Sequence, residues 1–424
     1  MFHGRHKERR CGCGCGTRRM RVTRAEPVLV HAAGDVPAAD EYYFLSNLDQ
    51  NVAVLMKTVH VFSPSRARVD AAAVITDALG RVLVHYYPFQ GSLVVSTDDG
   101  RLSVRNDRRG VPFVVADADC ELKEVGDVVL SAPNAAAVQG QLVFVGRSSS
   151  NSEDKEDDEL RAPLLSVQVT RFRCGGFVLG LAMNHCLADG VAAAEFLRSW
   201  GEMARGGPLS SPPFLDRTVL RARTSPTVAF PHEEFAEMED VSSLACLREE
   251  PRVHRAFAID ADGLARLKRQ ACASSTFVAL TAFVWRATLR AMRMRPEQKS
   301  KLMFAVDGRR RVDPPLPRGF CGNASSSPAA CPLPATSSAG RCPLRPGGSR
   351  TPSGARTTRS SVRPSTTCKW PVAGRREAAQ SGPAELPRGE VVMFMRDVRE
   401  GSIVVLLGLP RSCMQEFQDM VDLI

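Results

Sequence analysis

No run of about 18 consecutive apolar residues occurs in this 424-residue sequence, so a membrane-spanning helix is not expected. The thirteen cysteines include no Cys-x-x-Cys pair of the kind zinc sites use; Cys11, Cys13 and Cys15 stand at Cys-x-Cys spacing and the others are scattered. Free thiols in a reducing, cytoplasmic compartment are the expectation, with no bound metal. Acidic residues are nearly missing from two segments. Residues 1–24 hold eight Lys or Arg against Glu8 alone, and residues 324–376 hold nine and no acid, so these arms account for the whole chain's net +10 and leave the remainder at −6. Neither arm interleaves aromatics with its basic residues, which argues against a nucleic-acid partner. The N-terminal arm also lacks the serines and apolar face of a transit peptide. Residues 324–376 are poor in large apolar side chains, with only Leu333, Leu344, Val362, Trp370 and Val372 among Ser, Pro, Thr, Arg and Gly. That composition cannot bury a core, and so long a linker inside a compact domain is itself anomalous.

What remains is ordinary globular sequence, 44% apolar and 24% charged over the whole chain, and long enough for two domains with cores of their own. Strand and helix patterns alternate in both halves. Phe44 to Leu48 and Val52 to Met56 read as strand after a turn. Ile75, Leu79, Val82 and Leu83 line one face of a helix over about residues 69–85, and Asp98-Asp99-Gly100 marks a turn between two strands. The acidic residues 148–159 read as a solvated loop. Further on, Phe277, Leu280, Phe283, Val284 and Ala287 mark a helix with Ser275 as its N-cap. Leu302 to Val306, Val391 to Met395 and Ile403 to Leu407 are strand-like, and Met414, Phe417, Met420 and Val421 give a closing amphipathic helix.

The residues that most invite chemistry are His185-Cys186-Leu187-Ala188-Asp189. They follow the apolar run Phe177 to Met183, a buried strand, and precede a helix carrying Ala193, Leu197 and Trp200. A histidine on the turn after a strand suits a site in an α/β protein. The spacing alone also fits a structural histidine bonded to a neighbouring carboxylate. Cys186 reads as packing, His60 and His85 as core or surface histidines, and Asn323-Ala324-Ser325 as a chance match to a glycosylation acceptor.

Taken together, Asn184 to Gly190, Leu83-Val84-His85-Tyr86-Tyr87-Pro88, Ala282 to Ala287 and Val306-Asp307-Gly308-Arg309 resemble the plant BAHD acyltransferases. Phe44 to Asn51, Arg173 to Gly180 and Pro213-Phe214-Leu215-Asp216-Arg217-Thr218 resemble the hydroxycinnamoyltransferases of that family that act on ω-hydroxy fatty acids and fatty alcohols. The likeness covers roughly residues 20–323 and 379–424. It implies an α/β fold of two similar chloramphenicol-acetyltransferase-like domains, each a mixed β-sheet with flanking helices, and a channel between them. The division is then a disordered extension over 1–19, an N-terminal domain over 20–206, a crossover over 207–220 and a C-terminal domain over 221–424.

The activity so implied is transfer of a feruloyl or caffeoyl group from coenzyme A to the hydroxyl of an ω-hydroxy fatty acid or fatty alcohol, by a monomeric protein. Acyl-coenzyme A is a co-substrate and no cofactor is bound; the likeness assigns no residue to coenzyme A. His185 is the general base, because an alcohol attacks a thioester at neutral pH only as a base takes its proton. By the same resemblance Asp189 turns from the channel and pairs with Arg309, a structural role.

The likeness breaks off after Asn323. The family's Asp-Phe-Gly-Trp-Gly motif is missing before Gln380, where the chain reads Ala373-Gly374-Arg375-Arg376-Glu377. Residues 324–378 therefore look like the product of a shifted reading frame or a misplaced splice, and the alternatives are a non-catalytic remnant or an enzyme for another acceptor such as shikimate. Val278, where relatives carry Glu, removes a capping box from the helix after Ser275.

Overall fold

The computed structural model describes residues 20–36, 40–64, 70–125, 140–146, 162–225, 237–273, 275–326, 329–334, 369–370, 376–377, 380–383, 391–396 and 401–424. The extension over 1–19, the acidic loop and most of the anomalous segment lie outside the described residues.

The N-terminal half is organised by a mixed seven-stranded sheet. Its centre is formed by β1 (Leu55–Phe62), β2 (Val111–Ala118), β3 (Leu165–Arg171) and β4 (Phe177–Asn184), in the order β2-β3-β4-β1. Only β2 and β3 run parallel, with Phe113 opposite Val167; β3 with β4 and β4 with β1 are antiparallel. All eight residues of β4 are buried, because the strand is covered on both faces; that is why it reads as an unbroken apolar run. Gly180 sits where segment 140–143 crosses the strand. A Cβ there would lie 2.0 Å from the Leu142 carbonyl oxygen. The short strand Gln380–Pro383 pairs with β1, Gln380 opposite Val61.

Helices α1 (Ala71–His85) and α2 (Gly190–Ala204) cover one face of this sheet. Their 3.6-residue stripes meet: Ile75, Leu79, Val82 and Leu83 join Phe196, Leu197 and Trp200 in one buried cluster with Phe62 and Phe177, whose rings stack at 4.6 Å. At roughly 1.5–3 kcal/mol for each large apolar side chain buried, this stripe outweighs the intrinsic propensity of either helix. Two buried polar groups are satisfied across the helix pair, Trp200 Nε1 donating to the Ile75 carbonyl at 3.0 Å and Tyr86 Oη lying 3.1 Å from Ser199 Oγ. Val59, Val61, Leu142, Val178 and Ala182 form a separate cluster on the opposite face.

The C-terminal half has its own core. β5 (Arg252–Ile259), β6 (Val392–Arg396) and β7 (Ile403–Pro410) form an antiparallel sheet with β7 in the middle. Helices α3 (Ala261–Gln270), α4 (Thr276–Ala291) and α5 (Arg411–Asp422) supply Leu264, Leu267, Leu280, Val284, Met414 and Phe417 to one cluster with Phe257, Val405 and Leu407. The crossover touches the strand-poor segment before residue 324: Phe214 N–H donates to Gly319 and Cys321 N–H to Phe214, both at 2.9 Å.

Three local expectations need correction. Residues 46–48 are not strand: the Ser46 hydroxyl and the Asp49 carboxylate form a reciprocal capping box on a helical turn, Asn47–Gln50, so local side-chain bonding overrides the apolar alternation. The strand ahead of it is Tyr42–Phe44 and β1 begins at Leu55. Ser275 occupies the N-cap position of α4 but its side chain makes no capping bond. Leu302 to Val306 is divided between the strands Lys299–Met303 and Val306–Asp307.

Candidate active site

The turn that carries His185 begins where β4 ends. Asn184 pairs with Leu55 in the last register position, and its side-chain oxygen accepts from the Cys186 N–H at 3.0 Å, so the chain reverses immediately. His185 N–H donates to the Val54 carbonyl at 2.8 Å, Leu187 N–H to Asn184 at 3.0 Å and Ala188 N–H to His185 at 3.2 Å. Asp189 then caps α2, accepting from Ala192 N–H at 3.0 Å with extended backbone (φ −74°, ψ 177°). The His185 ring is half-buried. Its Nδ1 is enclosed and has no hydrogen-bond partner among the described residues, so no carboxylate orients the imidazole as in a Ser-His-Asp triad.

Asp189 points elsewhere. Its carboxylate, 3% exposed as a residue, takes Arg309 Nη1 on Oδ2 at 2.9 Å and Arg309 Nη2 on Oδ1 at 2.8 Å; Ala324 N–H at 3.1 Å and Ser325 Oγ at 3.2 Å also donate to Oδ2. Burial alone would raise its pKa, but the Arg309 guanidinium and the backbone donors outweigh that and hold the carboxyl below the usual range. Arg309 is reached from the turn after Val306–Asp307. It also donates to Asp307 Oδ1 at 3.1 Å and Gly322 O at 2.9 Å, and lies 5.8 Å from the centre of the Phe320 ring. Burial opposes its charge, yet the Asp189 pair raises its pKa.

A second buried ion pair lies on the other side of the turn. Arg217, 1% exposed, has Nη1 at 3.2 Å from Asp49 Oδ1, and Asp49 is fully enclosed. Arg217 also donates to the carbonyls of Cys186 (2.7 Å), Leu187 and Cys321 (3.0 Å), and its guanidinium lies 5.0 Å from the centre of the Tyr43 ring. Asn323 completes the set: its N–H and Nδ2 both donate to Asp49 Oδ1, at 3.0 and 2.8 Å, and Nδ2 also donates to the His185 carbonyl at 2.8 Å. Asp49, Arg217 and Asn323 were not legible as site residues in the sequence. The signals available were that Asp49 and Arg217 fall inside the family-like blocks Phe44 to Asn51 and Pro213 to Thr218, and that Ser46-x-x-Asp49 fits a capping pattern; Asn323 reads there only as a glycosylation match.

Cys186 is enclosed, and burial pushes its thiol up to about 12; the same cause pushes Cys321 to about 11. His60 is buried in β1 with Thr58 Oγ1 at 3.4 Å, and His85 ends α1. Among the described residues no group of three or more His, Cys, Asp or Glu is placed to hold a metal, and no helix is long and apolar enough to cross a membrane.

Over residues 20–333 the sequence matches the model of the Transferase family. It is 39% identical to the omega-hydroxypalmitate O-feruloyl transferase of Arabidopsis thaliana over 94% of this chain and 92% of that protein. It is 40% identical to the fatty alcohol:caffeoyl-CoA acyltransferase of the same species over 95% of this chain and 98% of that one. Among solved structures, vinorine synthase superposes with a TM-score of 0.73 at 18% identity, covering 95% of this chain and 98% of its own. TRI101 of F. sporotrichioides, solved with coenzyme A and T-2, gives 0.67 at 14% identity over 89% and 97%. At these identities the structural likeness concerns the fold.

Proposed function

Because the chain belongs to the Transferase family of BAHD acyltransferases, we propose that it moves a hydroxycinnamoyl group, feruloyl or caffeoyl, from coenzyme A to the hydroxyl of an ω-hydroxy fatty acid or fatty alcohol. The observation that carries this reading is the pairing of near 40% identity along almost the whole chain with a histidine turn whose Asp is already committed to Arg309.

His185 is the base. With Nδ1 enclosed, Nε2 is the ring nitrogen available to the acceptor hydroxyl. The imidazole takes the proton as the alcohol oxygen attacks the thioester carbonyl, and returns it to the coenzyme A thiolate as the carbon–sulfur bond breaks. The transfer is direct, within a ternary complex. No covalent enzyme intermediate is called for: Cys186 beside His185 is enclosed, and burial pushes its thiol up to about 12. Asp189 and Arg309 are structural members of the site. The protein acts in the cytoplasm as a monomer.

The test gives purified protein feruloyl-coenzyme A with ω-hydroxypalmitate, a long-chain alcohol or shikimate, and follows thiol release. Release with the first two acceptors is expected. Release with shikimate alone overturns the acceptor assignment, and release with none supports the remnant reading that the missing Asp-Phe-Gly-Trp-Gly motif favours.

A further inference from the structure

Each of the first three carbonyls of the catalytic turn is held by a side chain from a distant part of the sequence. His185 O accepts from Asn323, Cys186 O and Leu187 O accept from the two terminal nitrogens of Arg217. One carboxylate organises both donors, since Asp49 Oδ1 receives Arg217 Nη1, Asn323 Nδ2 and Asn323 N–H. A buried guanidinium is costly unless its donors are used, and here Nε, Nη1 and Nη2 all are. The guanidinium is packed closely against the 320–323 segment: a Cβ on Gly322 would lie 2.9 Å from Arg217 Nε, and Arg217 is 1% exposed. His185 itself has both main-chain groups bonded outside the turn's own helix, N–H to Val54 and C=O to Asn323.

From this arrangement we infer that Arg217 and Asn323, braced by Asp49, are positioning residues for the proposed transfer, fixing the backbone of the His185 turn and hence the direction in which the imidazole meets the acceptor. The inference rests on the reading of His185 as base. Its physical content is that, among the described residues, no carboxylate bonds the enclosed Nδ1 of His185, so the aim comes from the main chain. A displacement near 1 Å at a reacting group costs about 100-fold in rate. Asp189 with Arg309 holds the start of α2, and Arg217 with Asn323 holds the turn before it; the two devices meet in the segment 321–325.

The test uses the full-length protein with feruloyl-coenzyme A and ω-hydroxypalmitate, comparing H185A, R217K, N323A and the doubles R217K/H185A and N323A/H185A. R217K keeps the charge and loses the planar fork; N323A removes one donor to His185 O and leaves the ion pair, so it stays informative if R217K folds poorly. Each single variant should lower kcat about 10- to 100-fold per folded molecule with KM for feruloyl-coenzyme A within about twofold. In the H185A background the same changes should cost nothing more, because a positioning residue has no effect once the group it positions is gone.

A readout free of turnover accompanies this: the His185 imidazole resonance, assigned by its loss in H185A, should move in R217K and N323A while the other histidine signals stay. Unchanged kcat and an unmoved resonance in both variants overturn the inference alone. An equal loss in the H185A background also overturns it, since that is the behaviour of a purely structural residue. Wild-type turnover in H185A overturns the base assignment, and the inference with it.

Discussion

Arg309 and Asp189 meet fork to fork across 120 residues of chain, with Nη1 on Oδ2 at 2.9 Å and Nη2 on Oδ1 at 2.8 Å, and the same carboxylate caps α2. Removing one partner leaves the other buried and unpaired, so Arg309→Ala should cost about 3–5 kcal/mol of unfolding free energy in urea titrations. Arg309→Lys recovers only part, since an ammonium cannot fill both oxygens. Because the folded Asp189 pKa lies below its ordinary value, its contribution is complete above that ordinary value and disappears as pH falls through the folded one. A loss in R309A below about 1 kcal/mol at pH 7 would show the pair to be incidental.

His185→Gln keeps the size of the side chain and removes the imidazole proposed as the base. The rate of thiol release with an acceptor should fall about 10²- to 10⁴-fold while the melting temperature stays within a degree or two of wild type. An active His185→Gln protein would refute general-base catalysis here.

His60 should shape the acid sensitivity of the fold. Burial pushes its pKa down to about 4, against about 6.5 in an unfolded chain. Between those values the unfolded chain binds a proton that the folded one refuses, so stability is unaffected above about pH 6.5 and declines as pH drops towards 4, by up to about 1.4 kcal/mol per pH unit. Urea midpoints at pH 7, 6 and 5 should fall more steeply for wild type than for His60→Gln; parallel slopes would contradict the burial argument.

The cysteines give a chemical check on the site. Cys186 and Cys321 are enclosed with raised pKa values, whereas Cys246 and Cys272 are exposed. Brief iodoacetamide treatment followed by peptide mass spectrometry should find the exposed pair alkylated, the enclosed pair untouched and the activity retained. Early modification of Cys186 accompanied by inactivation would reopen its role as a nucleophile.

Gly180→Ala tests the sheet beneath the turn. The added methyl would lie 2.0 Å from the Leu142 carbonyl oxygen, a backbone atom in a second segment that has to move as a unit. A loss of at least 1–3 kcal/mol is expected, read as a drop of several degrees in melting temperature. An unchanged melt would mean that segment 140–143 yields freely.

Periodicity in the sequence was enough to show α1, α2 and the buried β4, because their apolar residues repeat at the spacing of the faces they bury. The capping turn at Ser46 escaped it, since Phe44 to Leu48 satisfies a strand pattern and only the Ser46–Asp49 side-chain bonds decide the matter. Motif spacing marked His185 and Asp189, both set by one strand end and one helix start that are adjacent in the chain. Family resemblance added Arg309, whose partner geometry no spacing contains.

What the sequence by itself determined was an alternation of strand and helix patterns, two basic arms and a histidine at the end of a buried strand, all properties of neighbouring residues. What only the tertiary structure decided was who holds that histidine. Asp49, Arg217 and Asn323 are ordinary polar residues in three separated segments, and their joint meaning comes from being enclosed together, where each unmet donor or charge would be too costly to leave unpaired.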